Sequence, residues 1–156
     1  MASTNVTYQM VATKYGIYVG IAHIAYFLIM RLFGLLHIVE LSFFSGLFLI
    51  IGIVVAISKF KKIRNGMINY FQGLGIGATV GVVSSSILAV FLAIYISLLD
   101  ATYLANLQAS ALFPESISLL WLFILTIVYG TVPGFLIAFI AMQWFKRPDH
   151  TVSERV

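Results

Sequence analysis

His23 is the one ionisable side chain near the middle of a long apolar run, "YGIYVGIAHIAYFLIMRLF". An imidazole at that depth can ligate a metal or haem, relay a proton, or tie one helix to another by a hydrogen bond. A haem would usually take a second ligand at matching depth. His37 lies beyond the end of the run and His150 in the C-terminal tail. A neutral His23 hydrogen-bonded to a neighbouring helix is therefore the expected role, ahead of a cofactor. Ser84–Ser86 offers three hydroxyls in a row, but with no base and no nucleophile-elbow motif beside them. Helix packing accounts for them. No carboxylate lies in the hydrocarbon region, which leaves nothing to carry protons in an exchanger driven by acidic residues. The absence of cysteine excludes disulfides, thiolate zinc sites, iron–sulfur clusters and a cysteine nucleophile. No catalytic constellation, metal site or cofactor is expected, and the chain does not read as an enzyme.

Two further features carry chemistry of a structural kind. Arg31 and Glu40 stand at the two ends of a short connection. A tight hairpin would bring them to similar depth, where they could pair while Arg31 snorkels outward. Pro133, in "YGTVPG", lies in the middle of the last apolar run. It removes one backbone hydrogen bond and predicts a kink near Tyr129–Gly130. Broken helices line binding sites in transporters, although proline kinks are also ordinary in membrane bundles.

Small residues form the most regular pattern. Gly73, Gly77, Gly81, Ser85, Ala89, Ala93 and Ser97 recur at every fourth position. Such seams let helix backbones approach closely where lipid gives no hydrophobic drive for association. A period of four turns the seam ~40° per step on a straight helix. The glycine half is thus expected to meet one neighbour and the alanine half another. Ala12/Gly16/Gly20 and Gly130/Gly134/Ala138 are shorter seams of the same kind. They serve packing within one chain or a surface for another subunit. "GLGIGA" at Gly73–Ala78 matches a dinucleotide-binding fingerprint, but that motif needs a preceding strand, and here it opens an apolar run.

The elements that must position these residues follow from composition. The 156 residues are 62% hydrophobic and 9% charged, with a mean hydropathy of +1.07. A soluble domain carries about 25% charged residues. The chain is therefore expected to be a single integral membrane domain over 1–156, with no soluble domain. Four runs, at about 15–33, 39–58, 67–99 and 118–145, can each cross a ~30 Å bilayer core as a helix. The fold class is all-α, a bundle of four transmembrane helices. The first run is expected to be retained, since its apolar stretch is too long for a leader and lacks an A-x-A-like site.

Eight of the nine basic residues lie on one side of this threading: Lys14, Lys59, Lys61, Lys62, Arg64, Lys146, Arg147 and Arg155. Only Arg31 lies on the other. Both termini are thus expected to be cytoplasmic. The net charge of +4 reports topology, and no nucleic-acid partner is implied. The third run is too long for a simple span, since its 33 residues would reach ~50 Å. "MINYFQ" is read as a headgroup-level turn. "DATYLANLQASALFPES" places Tyr103, Leu104, Leu107 and Ala111 at helical spacing, predicting a short amphipathic interfacial helix ended by Pro114. Trp121 and Trp144 are 23 residues apart, roughly 35 Å along a helix, suiting the two aromatic belts.

The segment "KFKKIRNGMINYFQGLGIGATVGVVSSSI" resembles domain-of-unknown-function family 4199. Its features are the basic loop Lys59–Arg64, Gly66, the Phe71–Gln72 entry and the glycine-rich Gly73–Gly81. "LLDATYL" resembles the family's exit from the third helix, with Ala101 where proline is common. The resemblance implies four membrane helices and a multi-pass protein of the bacterial inner (plasma) membrane. It implies no activity, cofactor or catalytic residue. The expected partners are the lipid bilayer and other membrane subunits or a second copy. The leading functional expectation is helix association, as an accessory subunit or homo-oligomer. The alternative is a small oligomeric transporter or channel using the Pro133 break with Thr79, Thr126 and Thr131.

Overall fold

The computed structural model describes residues 6–38, 41, 43–110 and 116–145. Among these residues five α-helices are set out in order: α1 (Tyr8–Leu32), α2 (Gly46–Ile63), α3 (Tyr70–Leu98), α4 (Thr102–Gln108) and α5 (Leu119–Phe145). A 3-10 turn, Phe43–Ser45, leads into α2. There is no strand among the described residues. Four of the helices are long and apolar enough to cross a membrane, α2 together with its leading turn.

Local chemistry sets the ends. Thr7 caps α1, its Oγ1 accepting from the Met10 N–H at 3.3 Å. The helix therefore begins well before the apolar run at Tyr15. Gln9, Thr13 and Lys14 extend it as exposed residues, since backbone hydrogen bonding does not require apolar side chains. Gly34 closes α1 with φ +68°. The Leu35 N–H donates to Met30 O and the Gly34 N–H to Arg31 O, a double bond pattern that needs a left-handed residue. The same device ends α2 at Asn65 (φ 52°), followed by Gly66 (φ 88°). Here Gly66 N–H reaches Lys61 O and Asn65 N–H reaches Lys62 O. Helix α2 thus carries Lys59, Lys61 and Lys62 inside its last turns, past the expected boundary at 58.

"MINYFQ" is helical from Tyr70, not a turn. The Gln72 side chain accepts from the Asn69 N–H at 3.2 Å, and the 29 residues of α3 rise about 44 Å. That exceeds a ~30 Å hydrocarbon core, so α3 is longer than a single crossing requires.

Helix α3 is the axis of the bundle. It packs most extensively on α5 and then on α1, while α2 lies against α1 and touches α3 and α5. Two apolar clusters fill the interior. One gathers Ile53, Ala56, Ile57, Phe60, Ile76, Val80 and Met142 toward the end where α2 and α5 finish. The other gathers Phe27, Leu92, Tyr95, Tyr103, Leu107 and Leu122 toward the end that carries α4. The short helix does lie between the third and fourth spans. Its Tyr103 and Leu107 are buried against the bundle, so it is a cover over the helix ends. Ala111 and Pro114 lie outside the described residues.

Candidate functional site

The small-residue row of α3 is consumed within the chain. Gly73, Gly77, Gly81, Ser85 and Ala89 are buried, Ala93 is half-buried and Ser97 is exposed. A Cβ at Gly73 would strike Met142, and one at Gly77 would stand 2.5 Å from the Gly134 carbonyl oxygen and closer still to Ala138. Gly81 meets the Gly130 carbonyl at 2.6 Å by the same measure. Ala89 and Ala93 share a narrow crevice with Leu122, Phe123 and Thr126 of α5. The seam therefore does not divide between two neighbours, as a straight helix would require. From Gly73 to Ala93 it follows α5. A repeat longer than 3.6 stays on one partner when the two helices wrap about each other in the right-handed sense.

The opposite face of α3 receives the seam of α1. Cβ atoms at Gly16 and Gly20 would press on Val83 at 2.8 Å and on Ile87 at 3.0 Å. Ala12 is fully buried. All three seams thus bring backbones together inside one chain.

Close packing on α3 leaves a space where the helices diverge toward α4. A cavity of about 640 Å³ opens there, with walls from all five helices. His23, Tyr26, Phe27 and Met30 of α1 form one wall, and Leu88 and Leu92 of α3 form the floor. Tyr103 and Leu107 of α4 form the roof, and Thr126, Gly130 and Pro133 of α5 face them. Helices α2 and α5 approach each other at the opposite end, where Lys61 Nζ donates to the Phe145 carbonyl at 3.2 Å. Beside the cavity the lining residues Phe43, Phe44, Leu47 and Ile50 of the α2 side and Tyr129 of α5 are exposed. The space therefore opens sideways between α2 and α5.

His23 is the most buried polar side chain of the cavity wall contributed by α1, at 6% exposure. Its Nε2 lies 3.1 Å from the Ser45 carbonyl, tying α1 to the start of α2. A carbonyl only accepts, so Nε2 carries the proton. The hydroxyl of Tyr26 adds a second tie, donating to Leu41 O at 2.8 Å. Thr126 donates to Leu122 O at 2.7 Å. Ser85 donates to Gly81 O at 2.6 Å, with Ile127 O of α5 at 3.3 Å. Ser84 also turns back onto Gly81 O, at 3.2 Å. These serines satisfy their own helix in an apolar surrounding.

The other candidates lie elsewhere. The Arg31 guanidinium sits over the Tyr95 ring, 4.9 Å from its centroid. Glu40, its expected partner, lies outside the described residues. His37 is exposed and bonds the Gly34 carbonyl through Nδ1 at 2.9 Å. Helix α5 continues through Pro133 without interruption. Although Pro133 has no N–H for the Tyr129 carbonyl, neighbouring packing tolerates this in membrane helices. Among the described residues no three His, Cys, Asp or Glu side chains come together as a metal site.

Sequence reasoning singled out His23 and Pro133 separately; the structure places both on one cavity. Tyr26, Phe27 and Met30 were missed. Their spacing from His23 by three, four and seven positions is that of one helical face, and that signal was available.

No curated protein and no solved structure matches the chain. A family model described as a protein of unknown function, DUF4199, does match over residues 14–147, and the chain belongs to that family.

Proposed function

We propose that the protein works by holding an uncharged, lipid-soluble molecule in the cavity beneath α4, as a binding or carrier protein without catalysis of its own. The observation that carries this reading is the cavity itself. Its volume of about 640 Å³ falls in the ~300–1,000 Å³ range of small-molecule sites. Its walls are mostly apolar side chains of membrane helices, and its mouth between α2 and α5 faces where lipid would lie. A water-soluble ligand would have to cross that lipid-facing surface; a membrane-dissolved one would not.

This is the transporter reading in a specific form, with Pro133 and Thr126 as wall residues. The proposed setting is a bacterial inner membrane with both termini cytoplasmic. Lys14, the basic end of α2 and the C-terminal tail then face inward, as the excess of lysine and arginine demands. In that orientation the cavity occupies the outer half of the bilayer.

The test uses protein released from its own membranes into a mild detergent and examined by native mass spectrometry. Wild type should retain a small apolar molecule. Leu88→Trp, which fills the floor of the cavity, should lose it while keeping its melting temperature within a few degrees. Identical adducts on both proteins would count against the reading.

Association as an accessory subunit or homo-oligomer is the second reading. With the seams filled inside the chain, it rests on the outward face of α5. Trp121, Val132, Leu136, Ile140 and Trp144 are exposed there, and either lipid or a partner helix would cover them. Cross-linking from Leu136 in intact membranes separates the two.

A further inference from the structure

The cavity is closed at one end and open at the other. Phe27, Met30, Leu92, Leu107 and Leu122 line it and are all buried. They come from α1, α3, α4 and α5, so four helices enclose the inner end with apolar side chains. Phe43, Phe44, Leu47 and Tyr129 line the mouth and are exposed. The rings of the inner end are packed on one another. Phe27 lies edge-on to Phe91, Tyr95 and Tyr103 at 5.5, 5.0 and 5.3 Å. A flat aromatic group would compete with contacts already made, whereas a flexible hydrocarbon chain needs only dispersion contacts.

Polar side chains along the wall do not change this. Tyr26, Ser85 and Thr126 each give their one hydroxyl hydrogen to a backbone carbonyl, of Leu41, Gly81 and Leu122. His23 gives its Nε2 proton to Ser45 O, and its Nδ1 is enclosed by the protein, without accessible surface. These four side chains have no hydrogen left for a ligand. A carbonyl or ester drawn past them would give up its polar surroundings and gain no bond in return. Methylenes would lose nothing.

Resting on the cavity reading above, we infer that the cavity takes an uncharged lipid tail first: an unbranched aliphatic chain fills the inner end, its polar end stays at the mouth, and Leu107 of α4 is the stop that the chain end meets. Leu107 is thereby a specificity-determining residue for chain length. Helix α4 is placed for this. Tyr103 and Leu107 are its buried residues, and Tyr103 stands edge-on to Phe27 and Tyr95 at 5.3 and 6.1 Å, which fixes the roof against the bundle. A chain dissolved in the bilayer already lies beside a mouth between α2 and α5, and it enters without exposing apolar surface to water.

The experiment uses the full chain in nanodiscs of phosphatidylcholine with two diazirine derivatives of methyl hexadecanoate. One carries the photoreactive group next to the methyl end of the chain, the other next to the ester. Labelled positions are read by peptide mass spectrometry, and labelling removed by excess unlabelled methyl hexadecanoate counts as specific. The chain-end probe should label Leu92, Leu107 or Leu122, and the ester-side probe Phe43, Phe44 or Leu47. At the inner end the ester-side probe should be weaker by about tenfold, the cost of burying an unpaired carbonyl. Competition by methyl esters of increasing chain length should pass through an optimum. Leu107→Ala should move that optimum longer by about two to three carbons, the number removed from the stop, and Leu107→Phe should move it shorter. Should a variant fail to fold, the two probes on wild type decide alone. Equal specific labelling of the inner end by both probes, or an optimum that neither variant moves, would overturn the inference and leave the cavity as an apolar binding site. No specific labelling of the cavity by either probe would overturn both this inference and the function on which it rests.

Discussion

Gly81 of α3 and Gly130 of α5 lie backbone against backbone. A Cβ on Gly81 would stand 2.6 Å from the Gly130 carbonyl oxygen, and one on Gly130 would collide with Ser85. This approach lets Ser85 Oγ reach Ile127 O across the interface at 3.3 Å. Dispersion and backbone polarity do here what hydrophobic burial does in water. The consequences of disturbing it are specific to position.

Gly77→Val should cost about 1–3 kcal/mol as an overpacking substitution, because the new side chain meets Ala138 and the Gly134 backbone. Gly75→Val has the same composition and hydropathy. Its Cβ meets the ring of Tyr8, 2.9 Å from Cε2, and a side chain near the end of α1 can swing away where a helix backbone cannot. Thermal melting in detergent should therefore show a clear loss for Gly77→Val and a smaller one for Gly75→Val. Equal melting temperatures would mean that the α3–α5 contact is not the tight one.

The aromatic cluster under α4 should respond in graded fashion. Tyr95 is 1% exposed and lies edge-on to Phe27 at 5.0 Å and to Tyr103 at 6.1 Å. Tyr95→Leu should cost about 2–3 kcal/mol through lost ring contacts and an unfilled volume. Arg31→Gln removes the cation over the ring and should cost only about 0.5–1 kcal/mol. Chemical denaturation in detergent ranks the two. A larger loss for Arg31→Gln would point to a partner for the guanidinium other than Tyr95.

Asp100 makes the cover over the cavity sensitive to acid. The Thr102 hydroxyl bonded to its carboxylate, helped by the Thr102 N–H at 3.0 Å, holds its pKa below the ordinary 3.8. A carboxyl depressed in the folded state adds stability that is full above 3.8 and disappears as pH falls through the lower folded value. Hydrogen exchange across Thr102–Gln108 should accelerate in that acid range. Asp100→Asn should remove this part of the pH dependence, and an unchanged acid profile in the variant would assign the transition to another group.

Orientation can be read with reporters. Cytoplasmic reporters should be active at both termini and an external one at Asn106, which is exposed on α4. Changing Lys59, Lys61, Lys62 and Arg64 together to Gln should weaken the bias, each charge contributing ~1 kcal/mol at an anionic inner leaflet. Lys61→Gln alone should also loosen the end of α5, since Lys61 caps the Phe145 carbonyl. A periplasmic C-terminus in the wild type would reverse the whole threading.

Much of the architecture was legible in the residues alone, for reasons that need no tertiary contact. A run such as Val39–Ser58 has no stable place outside lipid, and inside lipid a backbone must satisfy itself as a helix. Thus the number of long helices and the break between the third and fourth could be read directly. Turn chemistry at Gly34 and Gly66 is local in the same sense. Period-four spacing likewise announced close helix contact, because only small side chains permit it.

Partner choice was not legible. Gly77 carries no information about whether Ala138, another helix or another chain will meet it. That depends on how α3 and α5 wrap, and on whether a curved seam keeps its partner over five turns. The cavity is still further from the sequence. His23, Ser45 and the α5 pair Thr126 and Pro133 lie on three separate stretches and converge because helices pressed together at Gly77 and Gly81 must diverge elsewhere. Spacing along the chain determined which residues can share a helix face. Only the packing of faces against one another decided which small residues were filled, which imidazole nitrogen was left without a partner, and where the bundle stayed open.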